Sequence, residues 1–248
     1  MREFPSELIE RLRVAQRVAV LTGAGVSAES GLPTFRDALI GLWARYRPEE
    51  LATPEAFERN PGLVWGWYRM RRETALRASP NPAHLALARL ETLVPRLTLI
   101  TQNVDGLHRR AGSRGVVELH GDITRVRCSR EGTPVETWEE PDTGDPPRCE
   151  QCGAFLRPDV VWFGESLPEN GLRLAWSAAG ECDLFLSVGT SNLVEPAASL
   201  PWTAAGSGAT VAVVNTSMVG QRSAPGIHHL CGKAAEVLPG LLEVAWPA

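Results

Sequence analysis

The sequence lacks the features of a membrane or exported protein. None of its apolar runs approaches the ~20 residues that a membrane-spanning helix requires. Its first residues, MREFPSELIERLRVAQ, are charged and amphipathic, and they contain neither the apolar core nor the small-residue cleavage site of a secretion signal. We therefore expect a cytoplasmic protein that has no membrane partner.

The sequence also lacks an excess of positive charge. Its formal net charge is −4, whereas a general nucleic-acid binder normally presents a basic field. We therefore expect no nucleic-acid partner. The 248 residues, 44% of them hydrophobic, suffice for one large α/β domain with a smaller inserted module.

The cysteines do not form a disulfide framework, because there are five of them and no secretion signal. Cys149 and Cys152 form a CxxC pair, and Cys128 lies upstream in a region rich in proline, glycine and glutamate. This grouping indicates a metal site. Cys182 and Cys231 lie among apolar residues, which favours inert positions in a core.

Four short runs of β-branched or aliphatic residues alternate with helical patterns. The runs are nearly continuous in apolar character, which is typical of buried parallel strands. Strands that alternate with helices predict a doubly wound, Rossmann-like parallel sheet of the α/β class. The four runs are 18–21, 97–100, 184–188 and 210–214, and the clearest helical patterns are 82–92 and 172–179.

Two segments do not follow this alternation. Residues 38–80 contain no strand pattern but many aromatic residues, and they are predicted to form a helical insertion. Residues 126–157 contain three cysteines and a polar, proline-rich stretch that cannot build a core without a covalent or metal cross-link. We predict a small module from these two segments, zinc-ribbon-like in its cysteine part, and a Rossmann-like domain from 1–37, 81–125 and 158–248.

Polar loops follow the four predicted strands, and ligands of open α/β sheets bind beyond the carboxyl ends of the strands. The first loop, GAGVSA at 23–28, matches the dinucleotide-binding pattern GxGxxG/A after a strand. Its first glycine permits a tight turn, and its second is expected to let a pyrophosphate approach at the start of a helix. The acidic residue usual about 20 positions later is absent, which disfavours hydride transfer. Gly189, Ser191 and Asn215 could contact ribose hydroxyls instead.

Several longer blocks, in this order along the chain, resemble the sirtuins, the NAD-dependent protein lysine deacylases. The resemblance covers nearly the whole chain, and it implies NAD as co-substrate, acylated-lysine proteins as partners, and nicotinamide and O-acyl-ADP-ribose as products. The blocks are GAGVSAESGLPTFR (23–36), TQNVDGLH (101–108), LHG (119–121), the cysteine group, RPDVVWFGE (157–165), VGTS (188–191) and VVN (213–215).

The resemblance assigns His120 as the catalytic base that accepts a proton from a ribose hydroxyl, a task suited to a neutral imidazole. Asn103 and Asp105, which hold the nicotinamide ribose and carboxamide in the family, complete the catalytic set, although an Asx-turn would also explain them. The expected cofactor-binding residues are Gly23, Ala24, Gly25, Ser27, Phe35, Arg36, Gln102, Asn103, Asp105, Gly189, Thr190, Ser191, Asn215 and Ala234.

The resemblance also predicts where the acylated lysine binds. Val161 and Phe163 match a strand that pairs with the substrate peptide, although the aromatic residues there could equally belong to a core. Tyr68 and Arg71 are spaced to share one helix face, and sirtuins that prefer succinyl- or malonyl-lysine carry this Tyr-x-x-Arg pair. Ala52 matches the small residue that widens their pocket. The alternative for Arg71 is a solvated basic face.

The metal site and the reaction each leave alternatives open. Sirtuins usually bind structural zinc through two cysteine pairs, but here Glu131 stands where the second cysteine of the first pair is expected. Either Glu131 or another group completes the site, or zinc is weak or absent. A non-catalytic NAD or ADP-ribose sensor and a mono-ADP-ribosyltransferase are alternative functions. His120, Asn103 and Asp105 together disfavour the sensor.

Overall fold

A computed structural model describes residues 3–33, 48–141, 144–217 and 226–247. In these ranges the strands form two separate sheets. The strands are β1 (Arg17–Thr22), β2 (Arg96–Thr101), β3 (Val116–Glu118), β4 (Gly121–Cys128), β5 (Pro134–Val135), β6 (Leu156–Val160), β7 (Leu184–Val188), β8 (Thr210–Asn215) and β9 (Ile227–Cys231).

The larger sheet is entirely parallel, with the order β3-β2-β1-β7-β8-β9. The predicted doubly wound sheet and its four central strands are therefore confirmed. The two edge strands were not predicted, because β3 is only three residues long and β9 contains two adjacent histidines in place of an apolar run. An edge strand needs less apolar surface than a central one, so periodicity gives a weaker signal.

The start of the fourth helix follows from its local sequence. Asn60 caps the fourth helix by accepting a hydrogen bond from the amide of Leu63 at 3.1 Å, and Pro61 occupies its first position, as predicted. The helices are α1 (Ser6–Val14), α2 (Pro48–Leu51), α3 (Pro54–Arg59), α4 (Pro61–Arg77), α5 (Pro82–Leu93), α6 (Leu107–Arg110), α7 (Glu169–Glu181), α8 (Leu200–Gly206) and α9 (Ala234–Ala245).

Helices cover both faces of the parallel sheet. Helices α1, α5 and α9 pack on one face, where Val18 and Val20 of β1 lie. Helices α7 and α8 pack on the other face, which receives Ala19 and Leu21 from the same strand. Successive side chains of a strand point to opposite faces, so both must be apolar. This two-sided burial explains the continuous apolar runs.

The second sheet is antiparallel, with the order β5-β4-β6. Helices α2, α3 and α4 pack against it through a core that includes Phe57, Trp67, Tyr68 and Trp162. The predicted helical insertion is confirmed for its described part, residues 48–77. The exact domain boundaries stay a prediction. Within the described ranges, none of the helices combines the length and the apolarity needed to cross a bilayer.

Candidate active site

The loops beyond the carboxyl ends of the parallel strands are joined to one another by side-chain hydrogen bonds. The Nε2 of Gln102, after β2, donates to the Oγ1 of Thr190, after β7, at 3.0 Å. The Nδ2 of Asn215, at the end of β8, donates to the carbonyl of Thr190 at 2.9 Å. The polar residues that were expected to converge therefore lie together, with Thr190 at the centre.

The glycine loop packs directly on the loop after β7. The amide of Gly25 donates to the carbonyl of Gly189 at 2.8 Å. A Cβ atom on Gly25 would lie 2.7 Å from that oxygen, and one on Gly189 would lie 2.4 Å from the amide nitrogen of Val26. The missing side chain of Gly25 therefore serves loop packing, and its expected role in letting a pyrophosphate approach stays a prediction. Within the described residues 24–33, two short 3₁₀ turns stand in place of the expected α-helix.

Ser27 connects the glycine loop to the loop after β2. Its Oγ donates to Oδ2 of Asp105 at 2.8 Å and accepts from Nδ2 of Asn103 at 3.1 Å. Asn103 Nδ2 also lies 3.1 Å from the carbonyl of Gly23. The other oxygen of Asp105 accepts from the amide of Leu107 at 2.9 Å, so the Asx-turn is present together with the site contact. Burial raises the pKa of Asp105.

His120 lies between β3 and β4, and its ring orientation is fixed by a backbone contact. Its Nδ1 is 2.8 Å from the carbonyl oxygen of Gln102. Because a carbonyl can only accept, Nδ1 carries the proton and Nε2 is left without one. Burial lowers the pKa of His120 and outweighs the opposing effect of the Gln102 carbonyl. The imidazole is therefore neutral near pH 7 and has a basic nitrogen available.

The segment after β6 contacts His120 but is not a strand. The amide of Val161 donates to the carbonyl of His120, and the amide of Phe163 donates to the carbonyl of Ala52, both at 2.9 Å. Residues 161–165 leave the sheet and turn, so they are not a strand in the described structure, and their expected pairing with a substrate peptide stays a prediction. Trp162 is a core residue, whereas Phe163 is 47% exposed. The side-chain burial thus separates two aromatic residues that the sequence could not distinguish.

Tyr68 and Arg71 lie together on α4, as their spacing predicted. Tyr68 is buried with its ring centroid 4.6 Å from that of Trp67, and the guanidinium of Arg71 lies 4.9 Å from the Trp67 ring. Burial raises the pKa of Tyr68, so its hydroxyl keeps its proton. Burial lowers the pKa of Arg71, but a guanidinium remains charged in proteins. Ala52 is buried in the same cluster.

The neighbouring arginines have different environments. Arg72 is buried, pairs with Glu140 and lies over the rings of Trp65 and Trp138 at 5.1 and 5.4 Å. Arg69 is exposed. The alternative of a solvated basic face therefore describes Arg69. It does not describe Arg72, which is buried, or Arg71, which is half-buried.

The predicted cofactor residues also include Phe35, Arg36, Ser191 and Ala234. Phe35 and Arg36 lie outside the described residues. Ser191 is exposed, and Ala234 is buried at the start of α9. Beside it, the amide of Ala235 is capped by the Glu29 carboxylate at 3.0 Å.

Two buried histidines lie beneath the polar loops. His84 completes a capping box at the start of α5, where its Nδ1 accepts from the amide of Asn81, as its predicted structural role requires. Its Nε2 lies 3.4 Å from the Oγ of Ser27, and its ring centroid is 4.8 Å from that of His108. His108 Nε2 lies 2.9 Å from Thr22 Oγ1. The role of His108 had no sequence signal, because its partners come from distant segments.

The thiol groups of Cys128, Cys149 and Cys152 lie within 4.8 Å of one another, and Cys128 Sγ is 3.4 Å from Cys152 Sγ. Thiolates that share one tetrahedral zinc lie about 3.8 Å apart, so the three sulfurs fit that ion. Glu131 is not part of this group. Its side chain is exposed, and only its amide contacts the Cys128 sulfur. The described residues provide no fourth acidic, histidine or cysteine ligand.

The remaining cysteines differ from each other. Cys182 is buried, as predicted, and burial raises its pKa to about 11. Cys231 is exposed, so its predicted core position is wrong. It ends β9, which is an edge strand of the sheet formed by the described residues.

The Sir2 family profile matches residues 23–196. A protein of Pseudomonas aeruginosa named NAD-dependent protein deacylase 1 is 54% identical to this chain, with a match that covers 97% of this chain and 98% of that protein. A protein of Methylococcus capsulatus named NAD-dependent protein deacylase is 52% identical, and the match covers 97% of each.

Solved structures are similar over the same extent. A Sir2 homolog in complex with NAD superimposes with a TM-score of 0.88 at 43% identity, covering 98% of this chain and 94% of that one. A Sir2 homologue variant in complex with 2′-O-acetyl ADP ribose has a TM-score of 0.88 at 44% identity, covering 98% and 96%.

The buried histidines make the stability of the chain depend on pH. Burial lowers the pKa of His84 to about 4 and that of His108 to about 3, whereas an unfolded histidine has a pKa of about 6.5. As the pH falls, these two histidines therefore bind protons in the unfolded chain before they do so in the folded chain. We expect the free energy of unfolding to fall as the pH is lowered from about 6.5 to 4.5.

Urea unfolding of the wild type and of His108→Gln over this pH range checks the prediction. The wild-type slope should exceed that of the variant by up to about 1.4 kcal/mol per pH unit, the value for one proton. Asp105, whose pKa is raised, contributes with the opposite sign but is present in both proteins. If the free energies of unfolding of both proteins had the same slope against pH, His108 would not be the source of the pH dependence.

Proposed function

This chain belongs to the Sir2 family and is an NAD-dependent protein deacylase, and we propose that His120 is its catalytic base. The observation that supports this assignment is the hydrogen bond of His120 Nδ1 to the Gln102 carbonyl. It leaves Nε2 unprotonated on a neutral ring. A general base requires this state near neutral pH.

The reaction joins the acyl group to ADP-ribose. NAD supplies an electrophilic ribose carbon when nicotinamide leaves, and the acyl oxygen of the substrate lysine attacks that carbon. The neutral imidazole of His120 then accepts a proton from a ribose hydroxyl, whose oxygen attacks the acyl carbon. The bond from the acyl carbon to the lysine nitrogen then breaks, the protonated amine leaves, and one water molecule adds to give acyl-ADP-ribose. Burial of the imidazole keeps competing protonation from solvent low at neutral pH.

Asn103 and Asp105 are assigned to the nicotinamide ribose and carboxamide. Support comes from the contacts of both side chains with Ser27, which hold them beside the glycine loop. Such fixed polar groups lose little freedom when a ligand binds. The other residues proposed to bind NAD are Gly23, Ala24, Gly25, Ser27, Gln102, Gly189, Thr190, Ser191, Asn215 and Ala234, together with Phe35 and Arg36 outside the described residues.

The proposed reaction predicts that His120→Ala lowers kcat for deacylation by about 10²–10⁴-fold, the usual contribution of a general base. The measurement is nicotinamide release and mass spectrometry of the products with an acyl-lysine peptide. The wild type should yield free lysine peptide and acyl-ADP-ribose.

A matched control is His228→Asn. His228 lies in β9, the strand at the opposite edge of the sheet from β3, and this variant should retain the wild-type rate. ADP-ribosylated protein as the main product would identify the chain as a transferase. NAD binding with no cleavage would identify it as a sensor.

We propose that the acyl group is acidic, succinyl or malonyl, with acetyl as a secondary substrate. The partial burial of Arg71 beside the buried Tyr68 supports this preference. A guanidinium and a phenol hydroxyl on one helix face both donate to a carboxylate, and an arginine pairs with it bidentately. Ala52, the small residue expected to widen the pocket, is buried in the same cluster as Tyr68.

Arg71→Met should lower kcat/KM for a succinyl-lysine peptide by about ten- to a hundredfold, because the carboxylate loses its charged partner. The value for the matched acetyl-lysine peptide should change much less. The control Arg69→Met removes an exposed arginine from the same helix and should change neither value. Equal loss on both peptides would contradict the acidic preference.

We propose that Cys128, Cys149 and Cys152 hold one structural zinc ion whose fourth ligand comes from solvent. The spacing of the three sulfurs supports this site. Zinc would cross-link the β4–β6 region to the CxxC segment and would take no part in the reaction. A site with three protein ligands should release zinc more readily than one with four.

Metal analysis of protein purified without chelator should find about one zinc per chain, and chelator should lower the melting temperature. Cys149→Ser should lose the metal, whereas the control Cys182→Ser, in the core of the parallel sheet, should retain it. Zinc contents near zero in the wild type would contradict the proposal.

We also propose a cytoplasmic location and partners that are acylated proteins. None of the five cysteines is in a disulfide, which is typical of a reducing compartment. The net charge of −4 favours protein over nucleic-acid partners.

A further inference from the structure

One buried ion pair closes the turn that follows β6. The Nη1 of Arg157 lies 2.5 Å from Oε1 of Glu165, and its Nη2 lies 2.9 Å from Oε2. The contact is therefore bidentate, the strongest geometry for this pair. Only 8% of the Arg157 side chain and 22% of the Glu165 side chain are exposed. We refer to the segment they close as the 160–165 turn.

The same two side chains hold the interior of the 160–165 turn. Arg157 Nη2 donates to the carbonyl of Val160 at 2.9 Å, and Glu165 Oε2 accepts from the amide of Trp162 at 2.8 Å. The Arg157 guanidinium lies 3.3 Å from the Trp162 ring centroid. Gly164 has a φ of +88° at the bend. The Arg157–Glu165 pair thus fixes both the backbone of the 160–165 turn and the ring of Trp162.

The 160–165 turn contacts two sides of the proposed active site. Its Val161 amide donates to the carbonyl of His120, and its Phe163 amide donates to the carbonyl of Ala52. The ring of Trp162 lies 6.3 Å from that of Tyr68. Movement of this turn would therefore change the position of the catalytic histidine relative to the wall of the acyl pocket.

We propose that Arg157 and Glu165 are positioning residues for the acyl-lysine substrate, acting through the 160–165 turn. The proposal rests on the proposed function, and on the expectation from the sequence that Val161 and Phe163 meet the substrate peptide. Neither charged side chain needs to touch the substrate. They fix the backbone amides and the Trp162 ring before the peptide arrives, so that binding does not have to order this segment.

Global stability alone does not explain why an ion pair stands here. A buried ion pair is often no more stabilising than apolar residues of the same volume, because both charges lose their water. Arg127 also lies 3.6 Å from Glu165, and Asp159 lies 3.8 Å from Arg127. Four charges are thus placed around one turn. Arg157 and Glu165 contact backbone groups and a ring that must hold one position, and apolar residues would fix these less specifically.

A second pair in the chain has the same chemistry but a different location. Arg72 pairs with Glu140, lies over Trp65 at 5.1 Å, and is only 8% exposed in its side chain. Glu140 accepts a hydrogen bond from Trp65 Nε1 at 2.8 Å. This pair joins α4 to the cysteine-containing segment and makes none of the contacts of the 160–165 turn. It provides a matched control for the loss of a buried pair.

The experiment compares Glu165→Gln, Arg157→Lys and the control Glu140→Gln with the wild type. For each protein we would measure kcat and KM for an acyl-lysine peptide, the KM for NAD, the Kd for NAD by calorimetry, and the melting temperature. Glu165→Gln and Arg157→Lys should lower kcat/KM for the peptide by on the order of ten- to a hundredfold. Their KM and Kd for NAD should stay within about twofold of the wild type.

The control separates positioning from stability. Glu140→Gln should lower the melting temperature but keep kcat/KM for the peptide within about twofold. The proposal is overturned if the two turn variants keep the wild-type value for the peptide, or if they lose peptide and NAD affinity in equal proportion. If Glu165→Gln does not fold, the kcat/KM of Arg157→Lys for the peptide tests the proposal, because this variant retains the positive charge. A wild type that removes no acyl group would instead refute the proposed function.

Discussion

The amide of Gly25 lies against the carbonyl of Gly189, and this contact is possible only because neither residue has a side chain. It brings the loop after β1 onto the loop after β7, two strands that are neighbours in the sheet. Backbone groups beyond the ends of strands need hydrogen-bond partners, and here the loops supply them to one another. The crevice at this edge is therefore held by backbone contacts before any side chain contributes.

Side chains then give this crevice its chemistry. Ser27 joins the glycine loop to Asp105 and Asn103, and the Gln102 carbonyl sets the tautomer of His120. Burial disfavours the charged form of both ionisable groups. It raises the pKa of Asp105 and lowers that of His120. Both shifts favour the neutral form, as low polarity requires. A neutral imidazole is the form that can accept a proton.

The 161–165 segment and Glu131 show how far a local sequence pattern can predict the placement of a side chain. The 161–165 segment has the apolar residues of a strand, but Glu165 accepts from the Trp162 amide and bends the chain away from the sheet. Glu131 has a suitable ligand type at the expected spacing, yet its side chain is exposed. In both cases residue type was identified correctly, while orientation depended on partners distant in sequence or on the path of the backbone. The edge strands β3 and β9 were missed because they carry too few apolar residues to be recognised.

The sequence by itself determined the α/β class, the four central strands, the helix start at Asn60 and the family, because buried strands, capping residues and motif blocks are local patterns. It also determined which residue types are available for catalysis. Only the tertiary structure decided the protonated nitrogen of His120, the packing role of Gly25, the burial of the His84 and His108 pair, and the closure of the 160–165 turn. These depend on distances between segments up to about 160 positions apart in the chain, such as Gly25 and Gly189, and folding alone brings such segments into contact.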